Sequence, residues 1–371
     1  MSPADRVFGL VGKRGGYRGQ LRLRPARCQR SDAIPEFRSD GGDLASIPLA
    51  ILAQPKPQQV RFYVAQSGAG EAAKDGEGDR EAVGYRNGKG LRGRKVYPHH
   101  PHLPPRYWND PHVDRTQQQV RGYFQEYRRP NAFDDPGNGK PHQDGNKPFW
   151  KLTNQPTRDD QNRSVLSWVK PETKFTFTID VTNLSRVELG ALLWLLDLNR
   201  QENDKAAIPR AFFHRLGGGK PLGFGSVKLE IDWQNTDLRC GNEWRDYYLS
   251  LDESPAQPTP EKANTPQSCI KDFKEAVFEA YPGSGKDFRS VPFIAAFLRA
   301  AEGFTDGLPI HYPRTQPKNW LGEDDPVPPH PEGKSYEWFV ANERTGRDGG
   351  DKLSLPDLVT DAGLRFYRSS D

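Results

Sequence analysis

Eight residues in the middle of the chain, Lys174-Phe-Thr-Phe-Thr-Ile-Asp-Val181, alternate polar and apolar without a break. A period of two marks a strand with one face turned inward, so Phe175, Phe177, Ile179 and Val181 are expected on one side of a half-buried strand. A few residues on, Ser185-Arg-Val-Glu188 has the spacing of a capping box. There the serine hydroxyl accepts from the backbone of the glutamate, whose carboxylate reaches back. Leu184 and Leu189 are placed as a hydrophobic staple. The pattern predicts a helix over 186–198 with Leu189, Leu192, Leu193 and Leu196 on its apolar face.

After the helix come Phe212-Phe-His-Arg-Leu and the glycine-rich run Gly217-Gly-Gly-Lys-Pro-Leu-Gly-Phe-Gly225. Ser226-Val-Lys-Leu-Glu-Ile-Asp-Trp233 then alternates again, with Val227, Leu229, Ile231 and Trp233 on one face. Strand, helix, glycine loop, strand is half of a ferredoxin-like βαββαβ sheet. The expected class is α+β. Near the start, Arg6-Val-Phe-Gly-Leu-Val11 and Tyr17-Arg-Gly-Gln-Leu-Arg-Leu23 predict a hairpin turning at Lys13-Arg-Gly-Gly16, with Arg18, Arg22 and Arg24 at even spacing on one basic face.

Only 34% of the 371 residues are hydrophobic, and 36 glycines and 33 prolines interrupt the chain. That composition predicts a modest core carrying long loops. The largest insertion is expected over residues 66–147. Residues 1–240 are expected to form the core and residues 241–371 a small helical and loop extension, with helices over 270–281 and 287–302. In the second, Ile294, Phe297, Leu298 and Ala301 mark the buried side. Three dispersed cysteines, Cys28, Cys240 and Cys269, argue against a disulfide framework or a cysteine-rich zinc site. No apolar run is long enough to span a bilayer, and no signal core is evident, so an intracellular, cytoplasmic protein is expected. No metal or cofactor is expected.

The net charge is only +4, from 53 basic and 49 acidic residues, but the signs are segregated. Residues 1–30 carry eight basic side chains against Asp5 alone, and residues 85–95 carry Arg86, Lys89, Arg92, Arg94 and Lys95 with no acid. A polyanion-binding surface needs such segregation, and solvated loops also show it. The run from Gly217 to Gly225 holds five glycines and Lys220. Bare backbone lets amides approach a phosphate, and the lysine adds a point charge. The spacing is neither a Walker loop nor a dinucleotide fingerprint, which excludes nucleotide hydrolysis of those kinds. A tight structural loop and an RNA contact both fit it.

Together these strings resemble the RAMP superfamily of CRISPR-associated proteins. The resemblance rests on a helix, then His214-Arg215, then the glycine-rich loop, then a strand. It is supported by Asn183-Leu-Ser, Glu188-Leu-Gly-Ala-Leu-Leu-Trp194 and Gly219-Lys-Pro-Leu-Gly-Phe-Gly-Ser-Val227. Arg6-Val-Phe-Gly9, Arg92-Gly-Arg-Lys95, Pro309-Ile-His-Tyr-Pro313 and Leu355-Pro-Asp-Leu-Val359 are similar to further family segments. The usual loop has five residues between two GxG elements, and this chain has the three residues 220–222. The resemblance implies an RRM-like, ferredoxin-like fold with long insertions. It also implies binding of guide RNA beside other effector subunits in a type III complex that engages target RNA. The RNA-binding residues it points to, with the bottom-up reading, are Gly217, Gly218, Gly219, Lys220, Gly223 and Gly225, backed by Arg18, Arg22, Arg92, Arg94 and Lys95.

Family members carry a further strand and helix before the segment resembling residues 7–23. This sequence has no such half, so a split or truncated subunit is expected, with a separate chain supplying the missing part. The family's cleaving aspartate lies in that half, and no residue here takes its place by match. Asp32, Asp40 and Asp43 are read as surface-turn residues. A rival reading is an endoribonuclease using His214 or an aspartate; another is a protein-binding cap without RNA contact. His99, His100 and His102, with Asp110 and His112, invite a zinc site, but stacking or packing on Tyr97 and Tyr107 suits their spacing better. His214 is expected to hydrogen-bond at a helix end. Tyr97, Tyr107, Trp108, Tyr123, Phe124 and Tyr127 interleave with Arg106, Arg121, Arg128 and Arg129, which fits base stacking or core packing.

Overall fold

The computed structural model describes residues 2–13, 15–36, 167–203, 209–218, 224–250 and 265–303 as continuous runs. It also describes residues 47–48, 60, 63–65, 85, 88–91, 93–94, 96–99, 143–144, 147–148, 164–165, 220, 315–316, 355, 358–359 and 367–368. Helices and small, mostly antiparallel two-stranded sheets make it an α+β protein. Two compact units form. One comprises Met1–Ser31, Glu172–Phe212 and Lys228–Ile294; the other comprises Asp32–Pro171, Phe213–Val227 and Ala295–Asp371.

The first unit opens with a helix, α1 (Pro3–Phe8), where residues 6–8 read as a strand. Ser2 caps it: its hydroxyl accepts from the Asp5 N–H, and the Asp5 carboxylate accepts from the Ser2 N–H at 2.7 Å. With Pro3 at the first turn, the reciprocal cap and preset φ outweigh the β-propensity of Val7 and Phe8. The hairpin persists in shifted form, with β1 (Leu10–Gly12) paired to β2 (Gly15–Tyr17).

Next come β3 (Leu21–Leu23) and β4 (Arg27–Cys28), and much later in the chain β5 (Phe175–Thr176) and β6 (Ile179–Val181). β3 pairs with β6 and β4 with β5, both antiparallel. Between the pairs the register slips by one: Arg24, Pro25 and Ala26 face Phe177 and Thr178. The extra residue forms a bulge around Pro25, which has no N–H to give the ladder. The predicted single strand is therefore two. Ile179 and Val181 are half-buried as expected, but Phe175 and Phe177 are 45% and 41% exposed. Alternation dictates which side chains share a face; whether a second layer covers that face is decided by tertiary packing.

The capping box forms as its spacing requires: α2 (Arg186–Leu196) starts at Ser185, whose hydroxyl accepts from the Glu188 N–H while Oε2 of Glu188 accepts from the Ser185 N–H at 2.8 Å. α2 stops at Leu196, two residues before the expected end, because Asp197 leaves helical geometry; α3 (Leu198–Asn203) then continues. Leu193 and Trp194 are buried, and Gly190 lies against the Cys269 backbone.

In the second unit, β7 (His214–Arg215) and β8 (Ser226–Val227) form an antiparallel hairpin. The glycine run is thus the loop of a hairpin, not a link from helix to strand. Pairing ends at Val227, and Trp233 begins a short 3-10 turn. The predicted alternation still governs exposure: Val227, Leu229, Ile231 and Trp233 are half-buried, while Lys228, Glu230 and Asp232 are exposed.

α4 (Gly241–Ser250) buries no residue. α5 (Pro266–Ala280) packs on α2, and Trp194, Phe273 and Phe288 meet with ring centroids 5.3–5.7 Å apart. The helix expected over 287–302 is a 3-10 turn at Phe288–Ser290 followed by α6 (Pro292–Glu302). Pro292 cannot sit inside a helix, so the helix begins there. Ile294, Leu298 and Ala301 are buried as predicted, and Phe297 is half-buried. No helix among the described residues is long and apolar enough to cross a membrane.

Candidate nucleic-acid interface

The hairpin loop closes with the Leu216 N–H donating to the Gly225 carbonyl at 2.8 Å. Its glycines have different reasons to be there. Gly217 and Gly225 adopt φ of +78° and +76°, which L side chains rarely do, and a Cβ on Gly225 would strike the Leu216 carbonyl. Gly218 has no positive φ, and among the described residues a Cβ there would meet nothing within 4 Å. No described neighbour therefore requires glycine at 218; what the residue contributes is bare, approachable backbone.

Two cations belong to the loop, and residues 214–227 contain no acid. Arg215 donates through Nη1 to the Ser226 hydroxyl and through Nη2 to the Lys220 carbonyl at 3.1 Å. Lys220 folds back, its ammonium donating to the Gly217 carbonyl at 2.5 Å. Bare amides beside a guanidinium and an ammonium suit a phosphate-sized anion.

Arg215 and Ser226 are participants that reading along the sequence misses. Their signal is that they are register partners at the foot of the loop, which only the strand pairing reveals. Gly219 and Gly223 lie outside the described residues.

His99 packs as an interior histidine. It is 7% exposed, its ring stacks on Phe213 at 4.1 Å, and its Nδ1 lies 2.8 Å from the Ser226 hydroxyl. Packing is the expected outcome, and Phe213 is a ring it packs on. His214 belongs to β7, with its ring 6.1 Å from that of Phe297; it is not at a helix end, because the chain is extended there. Burial pushes the Tyr97 phenol well up. Arg94 is half-buried in the same unit as the loop. Arg92, Lys95, His100, His102 and residues 101–142, with the remaining aromatics and arginines of that stretch, lie outside the described residues.

Arg18 and Arg22 are exposed in the first unit, Arg22 directly across from Asp180. Arg24 grips Asp180 with two bonds of 2.9 Å, which hold that carboxyl below its usual range and neutralise part of the predicted basic face. Asp32 pairs with Lys170 at 2.8 Å, as a surface-turn residue would; Asp40 and Asp43 lie outside the described residues. On α4, Trp244 and Tyr248 stack one turn apart with Arg239 over the indole, a cluster whose i, i+4 spacing is its sequence signal. Among the described residues no group of three or more His, Cys, Asp or Glu is placed to hold a metal.

No protein-family model matches the chain, and no curated protein matches it. The residues themselves therefore carry any functional reading.

Proposed function

We propose that this chain is an RNA-binding subunit of a type III CRISPR ribonucleoprotein, built on a ferredoxin-like RAMP core, and that its 216–225 loop holds guide-RNA phosphates. The observation that carries the proposal is Gly218. It is a glycine that neither its φ nor its packing against the described residues demands, placed between Arg215 and Lys220 in a segment free of acids. RNA is gripped largely through its backbone, for which amides and cations suffice. Arg18 and Arg22, exposed on the first unit, are proposed as a phosphate contact of that unit by itself. On this reading the partners are guide RNA, the target RNA paired to it and neighbouring effector subunits.

The test is to express the chain with its genomic neighbours and a CRISPR array, purify it and sequence the RNA that accompanies it. Guide RNA with one defined end is expected. It should be lost on Gly218→Glu, which sets a carboxylate in open space where a phosphate would lie. A folded, assembled chain that carries no RNA overturns the proposal and favours a protein-binding cap.

A further inference from the structure

Four groups from separate stretches of the second unit are linked in one chain of contacts: His99, Ser226, Arg215 and the Lys220 carbonyl. A guanidinium has donors only, so the Ser226 oxygen accepts from Arg215. Its hydroxyl keeps one proton and a second lone pair, so it can hold His99 Nδ1 in either tautomer of the imidazole.

The far end of the chain of contacts is firmly held. The His99 ring is stacked on Phe213, its backbone N–H donates to the Ala300 carbonyl at 2.7 Å, and its own carbonyl lies where a Cβ on Gly303 would have to go. Gly303 has φ of +77°, so glycine is required there twice over. The near end is the loop, where among the described residues a Cβ built on Gly218 meets nothing within 4 Å.

We propose that His99 and Ser226 are positioning residues. Through Ser226 they aim the Arg215 guanidinium, and through Arg215 they fix the Lys220 carbonyl, so that Arg215 and Lys220 are presented to a phosphate in one arrangement. This rests on the reading of the loop as an RNA-phosphate site. Neither residue need touch RNA; they act through Arg215. A hydrogen bond to a charged group contributes roughly ten- to a hundredfold to an equilibrium when its partner is removed.

The experiment uses the full chain and two readouts. Amide exchange of the peptide covering residues 214–227 is measured without RNA. Affinity for a single-stranded RNA oligonucleotide is measured by fluorescence anisotropy at two salt concentrations. Ser226→Ala is expected to speed exchange in that peptide while leaving α2 and α5 unchanged, and to weaken RNA binding about tenfold. Ser226→Thr restores the hydroxyl and should restore both. His99→Asn, whose amide keeps a polar atom near the Nδ1 position, should fall between. A Ser226→Ala chain that exchanges no faster and binds RNA as well as the parent overturns the relay. A parent chain that binds no RNA at either salt concentration overturns the RNA reading, and with it the role assigned here, even if Ser226→Ala loosens the loop.

Discussion

The Trp194 indole N–H donates to Glu202 Oε1 at 2.7 Å inside the first unit, where the Glu202 side chain is fully buried. Lys274 Nζ lies 3.2 Å from the same oxygen, and Arg289 Nε lies 2.7 Å from Oε2, a charge contact without hydrogen-bond alignment. Both cations are partly exposed, so the burden of burial falls on the carboxylate. Removing Lys274 and Arg289 together, as Met, strands that charge and is expected to cost about 3–5 kcal/mol. Glu202→Gln keeps an acceptor for Trp194 and leaves the cations access to water, so it should cost clearly less. Urea unfolding of the variants measures the asymmetry, and equal losses would contradict it.

A second consequence concerns α2 and α5. A Cβ on Gly190 would collide with the Cys269 carbonyl. Gly190→Ala is therefore expected to destabilise by about 1–3 kcal/mol, although alanine favours helix. Adding Cys269→Ala should bring no relief, because the obstacle is backbone. Thermal melts of the single and double variants decide this.

The glycines of the hairpin loop should separate by role. Gly225→Ala meets both a disfavoured φ and the Leu216 carbonyl, and should speed amide exchange at Leu216. Gly218→Ala should leave that exchange unchanged. Equal effects at the two positions would remove the distinction between a structural glycine and an open one.

The pH dependence of the first unit has a readable sign at Asp197. Burial pushes this carboxyl up, against the Trp233 hydrogen bond and the nearby Arg200, which pull it down. An acid with a raised folded pKa contributes stability that is present below its unfolded value, near 3.9, and is lost as pH rises through the folded one. Asp197→Asn mimics the neutral acid at every pH. Relative to the parent it should gain most at pH 7, and that advantage should vanish near pH 3.5. Denaturant midpoints across that window measure it, and an advantage that grows on acidification would refute the sign.

A cap can also be tested in isolation from charge. Ser185 receives the Glu188 N–H and closes the start of α2. Ser185→Ala is expected to cost about 1 kcal/mol, with Ser185→Thr, which keeps the neutral hydroxyl that donates to Glu188 Oε2 at 2.7 Å, losing little. Chemical unfolding gives both values.

Several elements are legible in the residues alone. The Ser185–Glu188 box, the buried side of α6 at Ile294, Leu298 and Ala301, and the alternation over residues 227–233 are local signals with local causes. The helix at Pro3–Phe8 is local too, written in Ser2, Pro3 and Asp5, but the β-propensity of Val7 and Phe8 masks it.

Other features cannot be read along the chain. The pairing of residues 21–23 with 179–181, and the one-residue slip at Pro25, join segments more than 140 residues apart. The exposure of Phe175 and Phe177 depends on what packs against their face, which no periodicity records. His99 meets Ser226 only because the chain returns to the same place 127 residues later. By itself the sequence determined where backbone turns, caps and glycines must fall, since those follow from each residue's own φ, hydrogen bonds and neighbours. Tertiary structure alone decided which distant side chains share a hydrogen bond, because that contact exists only after the loop entropy between them has been overcome.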